Sequence, residues 1–546
     1  FYRFPEKMIA GAIAAPRFRL DNEALVRAHV HALVLETMSL KGAEGLPSEP
    51  RLLLQIEQEG FPLSDDWRTV YQAGIERYFD EIVAAVEEAF AREMTGALGQ
   101  GEGFEWFDRT FIERQVANFV DDLDAAMDRW RDEYDRLDAE RRAINRQLGE
   151  EQVDYSLNRR RTVIEGKLQA MREGKRDWYL YRYLGGEGFL PGYAFPPQAT
   201  VLAFDDREDE MARDPDIALT EYAPGNFVYY RGDRYEVTHA RPRRRRVPGT
   251  SSRPDTELDV ERVLVCPVCE RAYVGEAETN RAACACGQDL TLIHAQKSMA
   301  LTDMYAQQRQ RITADEEERL RLGYELTTHY RAGGKQRRYE VRTAESGSAR
   351  SGPEAVFRLT LEQGGEVLRV NRGQREQEGD PQGFTLCGKC HRWLLGDDAP
   401  EKHVYTRDQK GQCPRNAHPE DLVRGLWLTK AIHSDLALFD VPLSQLAGDG
   451  AEPLPADEIE AFYTTLSHTL ERAIMVAFNL DEREISSFLA PASEKNGAPY
   501  RVVLYETTVG GSGVLASLAE PGRLTTLVER ARELLHEGDP EGGCQK

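Results

Sequence analysis

Eight cysteines, seven of them in two tight clusters, constrain this 546-residue chain more than any other feature. The first cluster is Cys266, Cys269, Cys284 and Cys286, in "VCPVCERAYVGEAETNRAACACG". Zinc prefers four soft ligands in a tetrahedron, and two short knuckles supply them. The closing pair is C-x-C rather than C-x2-C, but the donor count is the same. Four thiolates leave no open coordination position, so such a site is structural, not catalytic. The second cluster is Cys387, Cys390 and Cys413, in "LCGKCHRWLL" and "GQCPRNAHPE". Its fourth ligand is to be found among His418, His403 and His391. His418 follows Cys413 by five residues, which suits a loop bending back onto the ion. His391 adjoins Cys390 and would strain to share its ion. His418 is therefore the expected ligand, and Cys544 is left over. Secreted chains spread their cysteines across disulfide-linked loops. Tight pairs without a secretory signal read as metal sites in a reducing cytoplasm. Two structural zinc ions and a cytoplasmic location are expected.

The length suggests three or four domains, and the texture of the chain predicts an α+β multidomain fold. Residues 1–110 read as helical, with "LDNEALVRAHVHALVLETM" opening on the capping pair Asp21 and Asn22. Apolar residues at Ile112, Val116, Phe119, Leu123, Met127, Trp130, Tyr134 and Leu137 then step by three and four. That seam predicts a long antiparallel coiled-coil hairpin over 111–190. Its arms should measure on the order of 50 Å at 1.5 Å per residue, long enough to dock a partner. Short β-rich runs such as "ATVLAF" and "GNFVYYRG" predict a small β-barrel-like domain over 191–262. A zinc ribbon with a β-rich connector follows over 263–384, and a C-terminal α/β zinc-binding domain over 385–546.

The net charge of −23 argues against a protein coated in nucleic acid by bulk attraction. A local basic groove remains open to it. The densest run, "ARPRRRRVPG", makes Arg241, Arg243, Arg244, Arg245 and Arg246 the candidate phosphate contacts. No apolar run is long enough for a transmembrane helix, so no membrane association is expected. The stretch "VVLYETTVGGSGVLASL" reads strand, glycines, helix, as a phosphate loop does. A P-loop also places a Lys and a Ser or Thr after its last Gly. Here Val514, Leu515 and Ala516 follow Gly513. No other segment supplies the pattern, so the chain by itself is not expected to hydrolyse ATP, and catalytic residues are not assigned. The glycines read as a tight turn. His433 and Asp435 in "AIHSDLALFD" are two residues of hydrolase type, which is too few to define a site.

The opening "FYRFPEKMIAGAIAAPRFRLDNEALVRAHVHALVLE" resembles the segment that follows the second motor domain in large bacterial superfamily 2 helicases. The closing "VVLYETTVGGSGVLASL" resembles the C-terminal zinc-binding domain of MrfA-type helicases. With the "CGKC" knuckle, the combination is similar to the helicase family of the DISARM anti-phage system, DrmA. The two signatures bracket nearly the whole chain, and the middle rests on order alone. The resemblance implies the accessory C-terminal half of an ATP-dependent DNA helicase or translocase in phage defence. It implies DNA and a DrmB-like subunit as partners, with the motor, its ATP and its magnesium outside this chain. The family's last domain ends in clustered cysteines, whereas only Cys544 stands here, so a metal site of that kind would be incomplete. The alternative is a motor-less, zinc-containing scaffold that binds nucleic acid.

Overall fold

The computed structural model describes residues 23–91, 107–150, 155–175, 178–191, 199–207, 209–242, 244–247, 255–311, 322–332, 335–342, 355–375, 381–395, 400–406, 411–442, 455–481, 484–492, 498–507, 513–520 and 522–535. The opening segment, most of the Gly510–Gly513 cluster, Arg243 and Cys544 lie outside them. Among the described residues no helix is long and apolar enough to cross a membrane.

The first part is helical: α1 (Glu23–Leu40), α2 (Asp65–Ala89), α3 (Arg109–Ala126), α4 (Asp128–Glu150), α5 (Tyr155–Arg172) and α6 (Leu180–Gly186). The Asp108 carboxylate caps α3 by accepting the Phe111 N–H at 2.7 Å. The predicted seam is real, but it does not run as one arm. Met127 takes ψ of −5° and separates α3 from α4. One apolar core runs from Val26 to Leu190 and takes in both halves of the seam. Phe119, Leu123, Met127 and Trp130 are fully buried in it, and α3 packs on α1 and α2. Only α4 and α5 form the antiparallel pair, with 23 and 18 residues. They fall short of the expected length and lie against the β-structure rather than projecting. The Tyr305 hydroxyl donates to Glu133, Arg160 pairs with Asp205, and the Lys167 ammonium donates to the Phe204 carbonyl at 2.8 Å.

The β-structure is interleaved in sequence. It comprises β1 (Thr200–Phe204), β2 (Glu210–Arg213), β3 (Phe227–Tyr230), β4 (Asp233–Ala240), β5 (Arg244–Val247), β6 (Asp255–Leu258), β7 (Glu261–Val265), β8 (Ala272–Val274), β9 (Gln296–Ala300), β10 (Met304–Arg311), β11 (Tyr324–Arg331), β12 (Lys335–Arg342), β13 (Ala355–Gln374), β14 (Phe384–Cys387), β15 (Leu422–Asp440), β16 (Ile485–Pro491) and β17 (Tyr500–Glu506). The barrel-like domain is a five-stranded sheet in the order β2-β1-β10-β4-β3. Its central strand β10 arrives from beyond the first cysteine cluster and runs parallel to β1.

A ten-stranded sheet is organised on the long strands β13 and β15, which pair antiparallel over most of their length. Strands β7, β8 and β9 carry the first cysteine cluster at one end of it, and β14 carries the second. Strands β16 and β17 join β15 at the far end, covered by α9 (Ala456–Phe478), α10 (Val514–Ser517) and α11 (Arg523–Leu534), numbered after two short helices. Those two are α7 (Pro215–Glu221) and α8 (Pro400–His403). Leu470, Ile474, Leu515 and Leu527 fill the layer between helices and sheet.

Candidate metal centres and basic segments

Both C-x2-C knuckles fold the same way. In the first, Cys266 N–H donates to the Arg271 carbonyl at 3.0 Å, and Glu270 N–H to the Cys266 carbonyl at 2.9 Å. In the second, Cys387 N–H donates to Arg392 and His391 N–H to Cys387, both at 2.9 Å. The residue after each knuckle, Glu270 or His391, takes a positive φ of 54° or 61°. That conformation costs free energy in an L residue.

The first set, Cys266, Cys269, Cys284 and Cys286, has its four sulfurs within 4.8 Å of one another. The Cys266–Cys286 and Cys269–Cys284 separations are 3.7 and 3.5 Å. A tetrahedron with Zn–S of 2.3 Å has edges of roughly 3.8 Å, so the set fits the ion. The Tyr273 hydroxyl donates to Cys284 at 3.2 Å. Backbone N–H groups of Val268 and Cys269 point at Cys266, and that of Arg271 at Cys269. Donors of this kind orient the sulfurs from outside the site.

The second set is Cys387, Cys390, His403 and Cys413, all buried. The structure thereby corrects the expected fourth partner. His403, at the end of α8, presents Nε2 3.3 Å from Cys390 Sγ. A short backbone pairing brings it there, in which Cys413 N–H donates to the His403 carbonyl at 2.9 Å. His418 is exposed, and its Nδ1 faces the Tyr405 carbonyl at 3.1 Å. The His391 ring is buried but stands outside the set of four.

In the metal-free set, protons and thiolates are shared among neighbours. Bonding to Cys387 and Cys413, together with burial, holds the Cys390 thiol well above its ordinary value. Bonding from Cys387 and Cys390 holds Cys413 well below it. Burial lowers His403, but the neighbouring Cys387 and Cys413 outweigh this and raise it to about 9. Metal ligation needs three thiolates and a neutral imidazole together, and a divalent ion stabilises that combination. Each set can therefore hold one metal ion, matching two structural zinc sites.

The arginine run divides. Arg241 is internal: its guanidinium stacks over Tyr305 at 4.2 Å and lies 3.8 Å from Glu133 and 3.9 Å from Glu210. These contacts occupy it, so it does not belong to an exposed phosphate surface. Arg244, Arg245 and Arg246 lie on β5, which among the described residues pairs with β6 in a two-stranded ribbon. His433 and Asp435 do not form a catalytic pair. His433 is exposed and pairs with Glu366 at 2.8 Å, while Asp435 accepts the Gly364 N–H at 3.0 Å.

Where the glycine cluster meets α10, the anion position is filled from within. The Glu506 carboxylate, fully buried, accepts the Gly513 and Leu515 N–H groups at 3.0 and 2.9 Å. Gly513 takes φ of +70° to make the turn. A negative charge at a helix start is favourable, and here the chain supplies it.

Residues 466–546 match the family described as MZB, the MrfA Zn-binding domain. The match covers most of α9, then β16, β17, α10 and α11, and both cysteine-rich sets lie outside it. The chain carries a C-terminal domain of MrfA type. No curated protein matches. Among solved structures, the chain is similar to a DUF1998 helicase, MrfA, bound to DNA, at 10% identity and a TM-score of 0.28. It is also similar to MrfA bound to DNA and AMPPNP, at 8% identity and a TM-score of 0.24. These alignments cover 64% and 70% of this chain, but only 31% and 37% of those chains.

Proposed function

We propose that this chain is a zinc-stapled, DNA-contacting accessory region that works with an ATP-dependent helicase motor lying outside it. The observation that carries the reading is the MrfA-type domain built onto the same sheet that holds both Cys/His sets. Cys266, Cys269, Cys284 and Cys286 ligate one zinc ion; Cys387, Cys390, His403 and Cys413 ligate the other. Both are structural, because four protein ligands close each shell. Their work is to fix loops at one end of a long sheet. The β5–β6 ribbon, with Arg244 to Arg246, contributes phosphate contacts.

The resemblance of the opening and closing segments to the DISARM helicase family favours a role in phage defence, with a partner subunit docked nearby. DNA binding by the purified chain across a salt series tests the reading. Affinity should fall linearly with salt on logarithmic axes, because counterions leave as phosphates are neutralised. Replacing Arg243 to Arg246 with Ser should flatten that slope. A chain that binds no DNA, or an unchanged slope, contradicts it.

A further inference from the structure

A cavity of about 320 Å³ lies where the α4–α5 pair, the five-stranded sheet and the second Cys/His set meet. Its lining is basic in a chain that is strongly acidic overall. Arg136, Arg160, Lys167, Arg392 and Arg415 face it, against the carboxylates of Glu140 and Asp205. Those two carboxylates are already shared. Arg160 takes Glu140 through Nε at 2.6 Å and lies 3.7 Å from Asp205, and Arg136 reaches Glu140 at 3.4 Å. Arg136 has a further partner in Glu133, and Arg415 in Asp135, both outside the lining.

Lys167 is different. Its ammonium donates to the Phe204 carbonyl and lies 5.6 Å from the centre of the Tyr305 ring. Among the described residues no carboxylate forms an ion pair with it. Burial, and then Arg241 and Arg136, lower it to about 8, against Glu133 and Glu210, which raise it. A part-buried ammonium among guanidinium groups is costly unless an anion joins it. The lining also includes apolar side chains, Leu137, Ile164 and Pro414. A cavity of this size and mixed lining suits a small organic ligand with one anionic end. Arginine and lysine lining one cavity suit phosphate in particular.

We propose that this cavity binds a phosphomonoester, with Lys167 and Arg160 at the phosphate and the apolar lining residues against its organic part. The chemistry is shared by a free mononucleotide and by the terminal phosphate of a DNA strand. The site is separate from the β5–β6 ribbon and does not depend on the DNA reading above.

Calorimetric titration of the full chain tests it, with inorganic phosphate, a deoxynucleoside, its 5′-monophosphate, and one single strand with and without a 5′-phosphate. Inorganic phosphate and both phosphorylated ligands should bind, each phosphorylated ligand tighter than its unphosphorylated counterpart by on the order of tenfold or more. Equal affinity of monophosphate and phosphorylated strand identifies the free nucleotide as sufficient; a much tighter strand identifies a strand end. Lys167→Gln and Arg160→Gln should each weaken the phosphorylated ligand by about tenfold, while Lys167→Arg retains binding. Circular dichroism and metal content establish that each variant is folded, and Arg160→Gln carries the test if Lys167→Gln is not. Equal binding with and without the phosphate overturns the proposal. So does full affinity in both folded glutamine variants. In either of those two cases, continued salt-dependent binding of blunt, unphosphorylated duplex leaves the DNA reading standing.

Discussion

Glu506→Ala should open the C-terminal α/β layer locally. The Glu506 carboxylate is fully buried and accepts two backbone N–H groups, from Gly513 at 3.0 Å and Leu515 at 2.9 Å. Hydrogen bonds to a charged group contribute about 1.5–3 kcal/mol each. Removing the carboxylate leaves one buried and one part-buried donor, and the terms are not strictly additive, so the expected cost is about 2–4 kcal/mol. Glu506→Gln keeps one acceptor oxygen but sets an NH2 group against the other donor, at a cost of about 1–3 kcal/mol. The cost is local, because α10 seats Leu515 and Leu518 into the core beneath β17. A global melt of a chain with several cores is not two-state. Hydrogen exchange of the amides at 513–518 is the suitable assay. A loss of about 3 kcal/mol speeds exchange there by about two orders of magnitude. Unchanged protection in Glu506→Ala would refute the claim that this carboxylate holds the turn.

Two further outcomes follow from the packing. Burial opposes the charge of Glu133, but the guanidinium groups of Arg136 and Arg241 outweigh it and hold the carboxyl well below its ordinary 4.5. A depressed folded-state value stabilises above the unfolded value and is lost as pH falls through the folded one. Glu133→Gln should therefore cost about 3–5 kcal/mol at pH 7, and hydrogen exchange of the amides around Glu133, corrected for intrinsic rates, should show that difference shrinking below pH 4.5; a pH-independent difference would contradict the ion-pair account. Gly383 takes φ of +73°, and a Cβ there would meet the Gly425 backbone at 2.7 Å. Gly383→Ala should lower stability by about 1–3 kcal/mol and speed exchange in β14, whereas wild-type protection there would count against the close strand crossing.

The features read correctly from the sequence are the local ones. A C-x2-C knuckle declares itself within four residues, and the 3–4 seam from Ile112 to Leu137 marked true helices. What failed depends on distant pairing. Spacing from Cys413 favours His418, whereas the backbone pairing of His403 with Cys413 brings His403 to the three cysteines. A histidine on the N-terminal side of Cys413 was equally visible, but nothing local ranked it first. Arg241 looked like the start of a surface run because its partners, Glu133 and Tyr305, come from other segments. The barrel-like domain lacked β10, which arrives only after the first cysteine set. The seam did not reveal that α3 belongs to the bundle, since periodicity reports a buried face and not what buries it.

The central claim is that two closed Cys/His sets each hold a zinc ion and staple the sheet that carries the MrfA-type domain. Zinc content of the purified full chain tests it most directly, measured by elemental analysis on the protein and its single variants. The account predicts two equivalents for the parent chain and for His418→Ala, and one for Cys269→Ser and for His403→Ala. One equivalent or fewer in the parent, or a zinc ion lost in His418→Ala and retained in His403→Ala, would contradict it.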